Sequence, residues 1–168
     1  MSETRYVIPD PDAMHELGVR LGRTLRAGDL VLLTGPLGAG KTTLTRGIGE
    51  GLGVRGPVQS PTFVLARTHP SLVGGAPLVH VDAYRLGGAD ELDDLDLDFD
   101  GSVVIVEWGA GLGLEQDSWI EIAIDRPLGE GAGGAGGPGG EPDWSEAPIE
   151  ARTVTVAGYG PRWTEGVL

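Results

Sequence analysis

LVLLTGPLGAGKTTL, residues 30–44, is the stretch that decides the fold of this chain. It opens with a compact apolar run from Leu30 to Leu33, which breaks at Gly35. From Leu44 to Leu52 apolar residues then recur every four positions, which keeps them near one face of a helix. The stretch therefore predicts a strand, a glycine-rich loop and a helix in succession.

The loop GPLGAGKT, Gly35 to Thr42, satisfies the P-loop template G-x-x-x-x-G-K-S/T between a predicted strand and a predicted helix. Its glycines let successive backbone N–H groups converge on phosphate oxygens, and the helix N-terminus adds a favourable dipole. Lys41, the only lysine in the sequence, is predicted to contact the outer phosphates, and the Thr42 hydroxyl to reach magnesium. The predicted nucleotide-binding residues of the loop are Gly35, Pro36, Leu37, Gly38, Ala39, Gly40, Lys41, Thr42 and Thr43.

The other apolar runs predict more strands than helices. A helix carrying Ala13, Leu17, Leu21 and Leu25 on one face precedes the P-loop strand. Further strands are predicted at Arg5 to Ile8, Thr62 to Ala66, Leu78 to Val81, Val103 to Val106, Ile120 to Ile124 and Thr153 to Val156. Because helices are fewer than strands, some strands should pair antiparallel. We predict an α/β fold, a P-loop NTPase-like single domain with a mixed central β-sheet flanked by helices.

Length and composition narrow the class of protein. The 168 residues suit one domain, 1–168, in which residues 129–142, GEGAGGAGGPGGEP, form a flexible loop. Twelve Lys and Arg against 25 Asp and Glu give a formal charge of −13, which argues against direct binding of tRNA or DNA. Cysteine is absent, the stretch MSETRYVIPDPD at residues 1–12 has no apolar run that resembles a signal peptide, and no later segment approaches the length of a membrane span. We expect a cytoplasmic protein that does not bind a membrane.

A P-loop needs an acidic side chain from a neighbouring strand end to hold magnesium or its water shell. Asp82 follows the run Leu78 to Val81, and Glu107 follows the more apolar run Val103 to Val106. We assign Glu107, with Thr42, to the metal and Asp82 to the water shell or the attacking water, and the reverse assignment stays open. The predicted catalytic residues are Lys41, Asp82 and Glu107.

The stretch around Glu107 also fits a calcium-binding loop. Asp96, Asp98, Asp100, Gly101 and Glu107 match D-x-D-x-D-G-x5-E. However, an EF-hand requires a helix after its glutamate, and the glycines that follow here would form a poor one. A calcium-binding module is therefore the disfavoured alternative.

Four blocks of sequence occur in a characteristic order and spacing: GPLGAGKTT at 35–43, SPTF at 60–63, HVDAYRL at 80–86 and VEWG at 106–109. Together they resemble the TsaE (YjeE) family, ATPases needed for the threonylcarbamoyladenosine modification of tRNA. The resemblance covers roughly residues 5 to 125 and the final predicted strand. It implies a small P-loop fold and slow hydrolysis of ATP with Mg²⁺. It also implies the partner proteins TsaB and TsaD, with tRNA contacted only through their complex.

The same resemblance assigns roles to residues outside the P-loop. Ser60 and Thr62 would form a switch-like segment near the terminal phosphate, and Trp108 would change position with nucleotide. Asp10 and Asp12 would lie beside adenine, and Arg152 would be a further nucleotide contact. A small-molecule kinase remains a rival, since a P-loop alone does not identify the phosphate acceptor.

Overall fold

The computed structural model describes residues 2–36, 39–54, 66–83, 97–108, 116–125 and 151–168. Two α-helices and one 3₁₀ helix accompany seven strands in this part of the chain. In chain order the elements are β1 (Ser2–Ile8), α1 (Pro11–Thr24), β2 (Leu30–Thr34), α2 (Lys41–Leu52), β3 (Ala66–His69), β4 (Leu78–Asp82), β5 (Val103–Glu107), β6 (Trp119–Asp125), β7 (Arg152–Tyr159) and the 3₁₀ helix Pro161–Trp163. Neither α-helix is long and apolar enough to cross a membrane.

The seven strands form one sheet in the order β1-β7-β6-β2-β5-β4-β3. β2 pairs in parallel with β5 and β6, and β4 pairs in parallel with β5. The pairs of β7 with β1 and β6, and of β3 with β4, are antiparallel. The predicted mixed α/β sheet is confirmed. We call the edge at which β2, β4, β5 and β6 end the P-loop edge, since the P-loop leaves β2 there.

The strand signals that fall on described residues correspond to strands in the structure. β5 is buried along its whole length, as its continuous apolar run predicted for a central strand. Of the strand predicted at Thr62 to Ala66, only Ala66 is described, and it begins β3. The predicted loop at residues 129–142 lies outside the described residues.

Both helices cover one face of the sheet. Met14, Leu17 and Leu21 from α1 and Leu44 and Ile48 from α2 join the larger hydrophobic core with alternate strand residues. A smaller core on the opposite face is built from β2, β4 and β5, with Leu97 and Phe99 packed against it. The sheet is therefore apolar on both faces around β5, which fixes the position of the strand that ends in Glu107.

The two helices meet through their backbones. Gly18 and Gly22 of α1 face Gly47 and Gly51 of α2, and a Cβ added to Gly47 would lie 2.3 Å from the His15 carbonyl oxygen and 2.9 Å from the Gly18 Cα. Any side chain at these positions would overlap the other helix. The helix that begins in the P-loop is thus held directly against α1.

An ion pair closes the end of the sheet opposite the P-loop edge. The Arg162 Nε donates to Asp29 Oδ1 at 2.6 Å and its Nη2 donates to Asp29 Oδ2 at 2.8 Å. The same nitrogen lies 3.3 Å from the Thr24 carbonyl oxygen, at the end of α1. Asp29 is buried, so this contact ties the 3₁₀ helix to the turn that leads into β2.

Candidate functional site

The start of α2 is shaped to receive an anion. Gly40 is the N-cap residue, with a left-handed φ of 108°, and none of the side chains that the structure describes caps the helix. The first backbone N–H groups of an α-helix have no partner inside the helix, and the helix dipole favours negative charge near them. Lys41 and Thr42 occupy the first two positions of α2. Leu37 and Gly38 lie outside the described residues.

Lys41 is 4% exposed, which is low for a lysine. Its Nζ donates to the Gly35 carbonyl oxygen at 2.8 Å, across the P-loop. The same ammonium lies 4.4 Å from the ring centroid of Trp108, a distance at which a cation is attracted by the aromatic face. The lysine is therefore held inside the loop by one carbonyl and one aromatic ring.

Trp108 follows directly after β5 and has an unusual backbone conformation. Its φ is +62°, which bulky residues seldom adopt, and its N–H donates to the Leu33 carbonyl oxygen at 3.0 Å. Its side chain is 39% exposed. The structure thus places a strained, partly exposed aromatic beside Lys41, and strained backbone of this kind is concentrated at functional sites.

The two predicted carboxylates are neighbours at the P-loop edge. Asp82 ends β4, Glu107 ends β5, and the two residues are paired in register. Both follow the alternation of the side chains that face α2, as Leu78 and Ile105 do. Glu107 is 8% exposed, and Asp82 is half-buried. The sheet therefore presents two acidic side chains on the same face as Lys41.

His80 contacts one of these carboxylates. Its Nε2 lies 3.0 Å from Glu107 Oε2, and both side chains are almost completely buried. The sequence alone does not place His80 in the site, since the pair joins strands whose adjacency depends on the sheet order. The block HVDAYRL was its only sequence signal.

The donor set fits magnesium carried by a nucleotide. No group of three or more His, Cys, Asp or Glu side chains able to hold a metal occurs among the described residues. Mg²⁺ needs no such group, because it takes one or two carboxylates and completes its shell with phosphate oxygens and water. Thr42 and Glu107 can supply the protein ligands, and the uncapped start of α2 can hold the phosphates.

The calcium-loop alternative does not agree with the fold. Asp98 accepts a hydrogen bond from the Gly101 N–H at 3.0 Å and so forms a local turn. From Ser102 the chain runs straight along β5, and five strand residues carry Glu107 about 16 Å away from that turn. Two ligands of one calcium ion must each lie within about 2.6 Å of it. Asp98 and Glu107 therefore cannot share an ion.

Of the remaining predicted residues, three are described in the structure and two are not. Arg152 opens β7 opposite Ile8, at the P-loop edge, and is buried. Asp10 is the N-cap of α1 and accepts from the Ala13 N–H at 2.8 Å, whereas Asp12 is exposed in the first turn. All three residues lie at the P-loop edge, where a nucleotide contact stays a prediction, and the capping bond uses one oxygen of Asp10. Ser60 and Thr62 lie outside the described residues.

Comparisons with known proteins agree with this geometry. The family model described as Threonylcarbamoyl adenosine biosynthesis protein TsaE matches residues 8–129. The tRNA threonylcarbamoyladenosine biosynthesis protein TsaE of Streptomyces coelicolor is 57% identical over 154 residues, 89% of this chain and 93% of the relative. The protein of the same description from Bacillus subtilis is 39% identical over 131 residues, 75% of this chain and 80% of the relative.

A solved structure has the same architecture. The crystal structure of Bacillus subtilis YdiB superposes with a TM-score of 0.66 and 26% identity, over 96% of this chain and 88% of that one. The family resemblance seen in the sequence is thus confirmed by the family model, by the curated relatives and by the fold. The chain belongs to the TsaE family of threonylcarbamoyl adenosine biosynthesis proteins.

Proposed function

We propose that this protein is a magnesium-dependent ATPase that supports the threonylcarbamoyladenosine modification of tRNA. The observation that carries the ATPase proposal is the buried ammonium of Lys41. It lies at the uncapped start of α2 and on the same sheet face as Glu107 and Asp82. The role in modification is supported by the names of the relatives to which the chain is similar.

The residues divide the chemistry between them. The backbone N–H groups at the start of α2 bind phosphate oxygens, and Lys41 neutralises charge on the outer phosphates. Magnesium bound with the nucleotide would supply neutralisation of the phosphate charge. Thr42 and Glu107 would hold that metal, and Asp82 would orient water beside it. Lys41 must exchange its contact with the Gly35 carbonyl for phosphate oxygens when ATP binds.

The ATPase proposal is tested with two substitutions. Lys41→Ala should abolish ATP hydrolysis and weaken ATP binding, because no other lysine can replace it. Glu107→Gln should reduce hydrolysis at least about 100-fold while ATP still binds, since one oxyanion-stabilising or metal-holding group is worth about that factor. Glu16→Gln, a charge-matched change at an exposed position of α1, serves as the control. Wild-type turnover in Lys41→Ala would refute the proposal.

The partners are the second part of the proposal. We expect the protein to associate with TsaB and TsaD in a nucleotide-dependent way and to contact tRNA only through them. The formal charge of −13 supports an indirect role, because such a chain repels tRNA phosphates. Hydrolysis should therefore be measured alone, with TsaB and TsaD, and with tRNA alone. Stimulation by tRNA alone would contradict the indirect role. Phosphate release without any added acceptor separates this ATPase from a small-molecule kinase.

A further inference from the structure

His80 and Glu107 form a buried pair, and the proposed ATPase chemistry assigns no role to His80. The contact joins adjacent parallel strands at the P-loop edge, with 3.0 Å between His80 Nε2 and Glu107 Oε2. The side chain of His80 is 2% exposed and that of Glu107 is 11% exposed. A hydrogen bond to a carboxylate in such a desolvated position is both strong and directional.

The direction of this hydrogen bond follows from the neighbouring groups. A carboxylate oxygen accepts, so His80 Nε2 must carry the proton and donate it. On the other side of β4, the residue paired with His80 is Arg67, whose guanidinium has only donors. His80 Nδ1 is buried and has no hydrogen-bond partner in the described part of the chain. Among these neighbours, Glu107 is thus the acceptor for the ring N–H.

We propose that His80 is a positioning residue that fixes Glu107 for magnesium. By holding Oε2, the imidazole leaves Oε1 as the oxygen that is free to face the metal, and it prevents the carboxylate from rotating. Side chains that orient a metal ligand in this way contribute about 10- to 100-fold to metal affinity or activity. The inference rests on the proposed function, since it requires Glu107 to bind the metal of the nucleotide complex.

The test asks whether the position of the hydrogen-bond donor at residue 80 matters, or only the presence of a polar side chain there. His80→Gln places an amide N–H₂ near the position of Nε2, whereas His80→Asn places it near that of Nδ1, and His80→Leu removes it. Leu78→Ala is the matched control, because Leu78 is fully buried in the same strand and on the same face but does not contact Glu107. Thermal melts of all four variants show how much stability each one loses.

The decisive measurement is binding of Mn²⁺ to the protein–ADP complex, by calorimetry, with ADP affinity in EDTA measured alongside. We expect Mn²⁺ affinity to fall about 10- to 100-fold in His80→Asn and His80→Leu and to stay within about threefold of wild type in His80→Gln and Leu78→Ala. ADP affinity in EDTA should not change. In His80→Asn and His80→Leu, the Mg²⁺ concentration for half-maximal hydrolysis should rise by the same factor as the Mn²⁺ affinity falls.

Two results would overturn the inference in distinguishable ways. Equal Mn²⁺ affinity in the Gln and Asn variants would remove the positioning role and leave the proposed ATPase function intact. A wild-type protein that binds no Mn²⁺–ADP at all would refute the proposed function and the positioning role together. If His80→Leu does not fold, the comparison of Gln with Asn still decides.

Discussion

Replacing Gly47 with alanine tests whether the contact between α1 and α2 sets the position of the P-loop helix. The new Cβ would lie 2.3 Å from the His15 carbonyl oxygen, 2.9 Å from the Gly18 Cα and 3.1 Å from the Val19 N. All three are backbone atoms, so no flexible side chain can move aside. To restore an ordinary contact of about 3.4 Å, the helices must separate by about 1 Å.

The expected loss of stability is a balance of two terms. Overpacking of this kind costs about 1–3 kcal/mol, whereas alanine is better than glycine in a helix interior by about 1 kcal/mol. The free energy of unfolding should therefore fall by up to about 2 kcal/mol, which lowers the Tm by up to about 8 °C for a chain of this size. Because α2 begins with Lys41, the same displacement should reduce the proposed ATP turnover, by as much as about 100-fold for a shift of about 1 Å.

The control is Gly75→Ala, in the loop between β3 and β4. There a Cβ would lie 3.6 Å from the Ser71 Oγ and 4.0 Å from the Val73 Cγ2, which are ordinary contacts. This variant should be neutral or slightly stabilised, by up to about 1 kcal/mol. Urea denaturation and phosphate release are measured on both proteins. A Gly47→Ala protein that is more stable than wild type and fully active would refute the packing argument.

Four further outcomes follow from individual side chains. Arg162→Leu should lower the free energy of unfolding by about 1.5–3 kcal/mol in urea denaturation, because it leaves the buried Asp29 carboxylate without its guanidinium partner. A loss below about 0.5 kcal/mol would contradict this. Burial, with Glu121 adding to it, raises the pKa of Tyr159 above 10.0, so the free energy of unfolding should decrease as the pH rises above 10.0. Glu121→Gln should move the phenolate absorbance titration of Tyr159 to lower pH, and an unchanged titration would exclude Glu121 as a cause. Asp98→Asn should leave the proposed magnesium-dependent hydrolysis unchanged. If calorimetry showed that the wild-type protein binds calcium and that Asp98→Asn abolishes this binding, the calcium-loop alternative would be restored.

The features predicted correctly from the sequence are those with a local signal. The P-loop is recognisable because glycines, one lysine and a hydroxyl occur at fixed spacing between a strand and a helix. β5 was predicted because a central strand is apolar at every position. The continuation of β3 beyond Ala66 was not predicted, since Arg67 to His69 are polar and partly exposed, as an edge strand permits.

Features that depend on which elements become neighbours were not predicted. The glycine pairs of α1 and α2 occur four residues apart in each helix, but the sequence does not reveal that one pair packs on the other. The contact of His80 with Glu107 requires β4 to lie beside β5. The conformation of Trp108 and its distance to Lys41 likewise depend on how β5 ends beside β2.

The pairing of β1 with β7 imposes an order on folding during synthesis. β1 leaves the ribosome long before β7, yet Ile8 pairs with Arg152 and Ser2 pairs with Gly158. Until β7 has been synthesised, β6 is an edge strand whose backbone N–H and C=O groups on that side are unpaired, and such edges promote aggregation. The half of the sheet that contains the P-loop strand can therefore form early. The nascent chain stays prone to aggregation until β7 has been synthesised and has paired between β1 and β6.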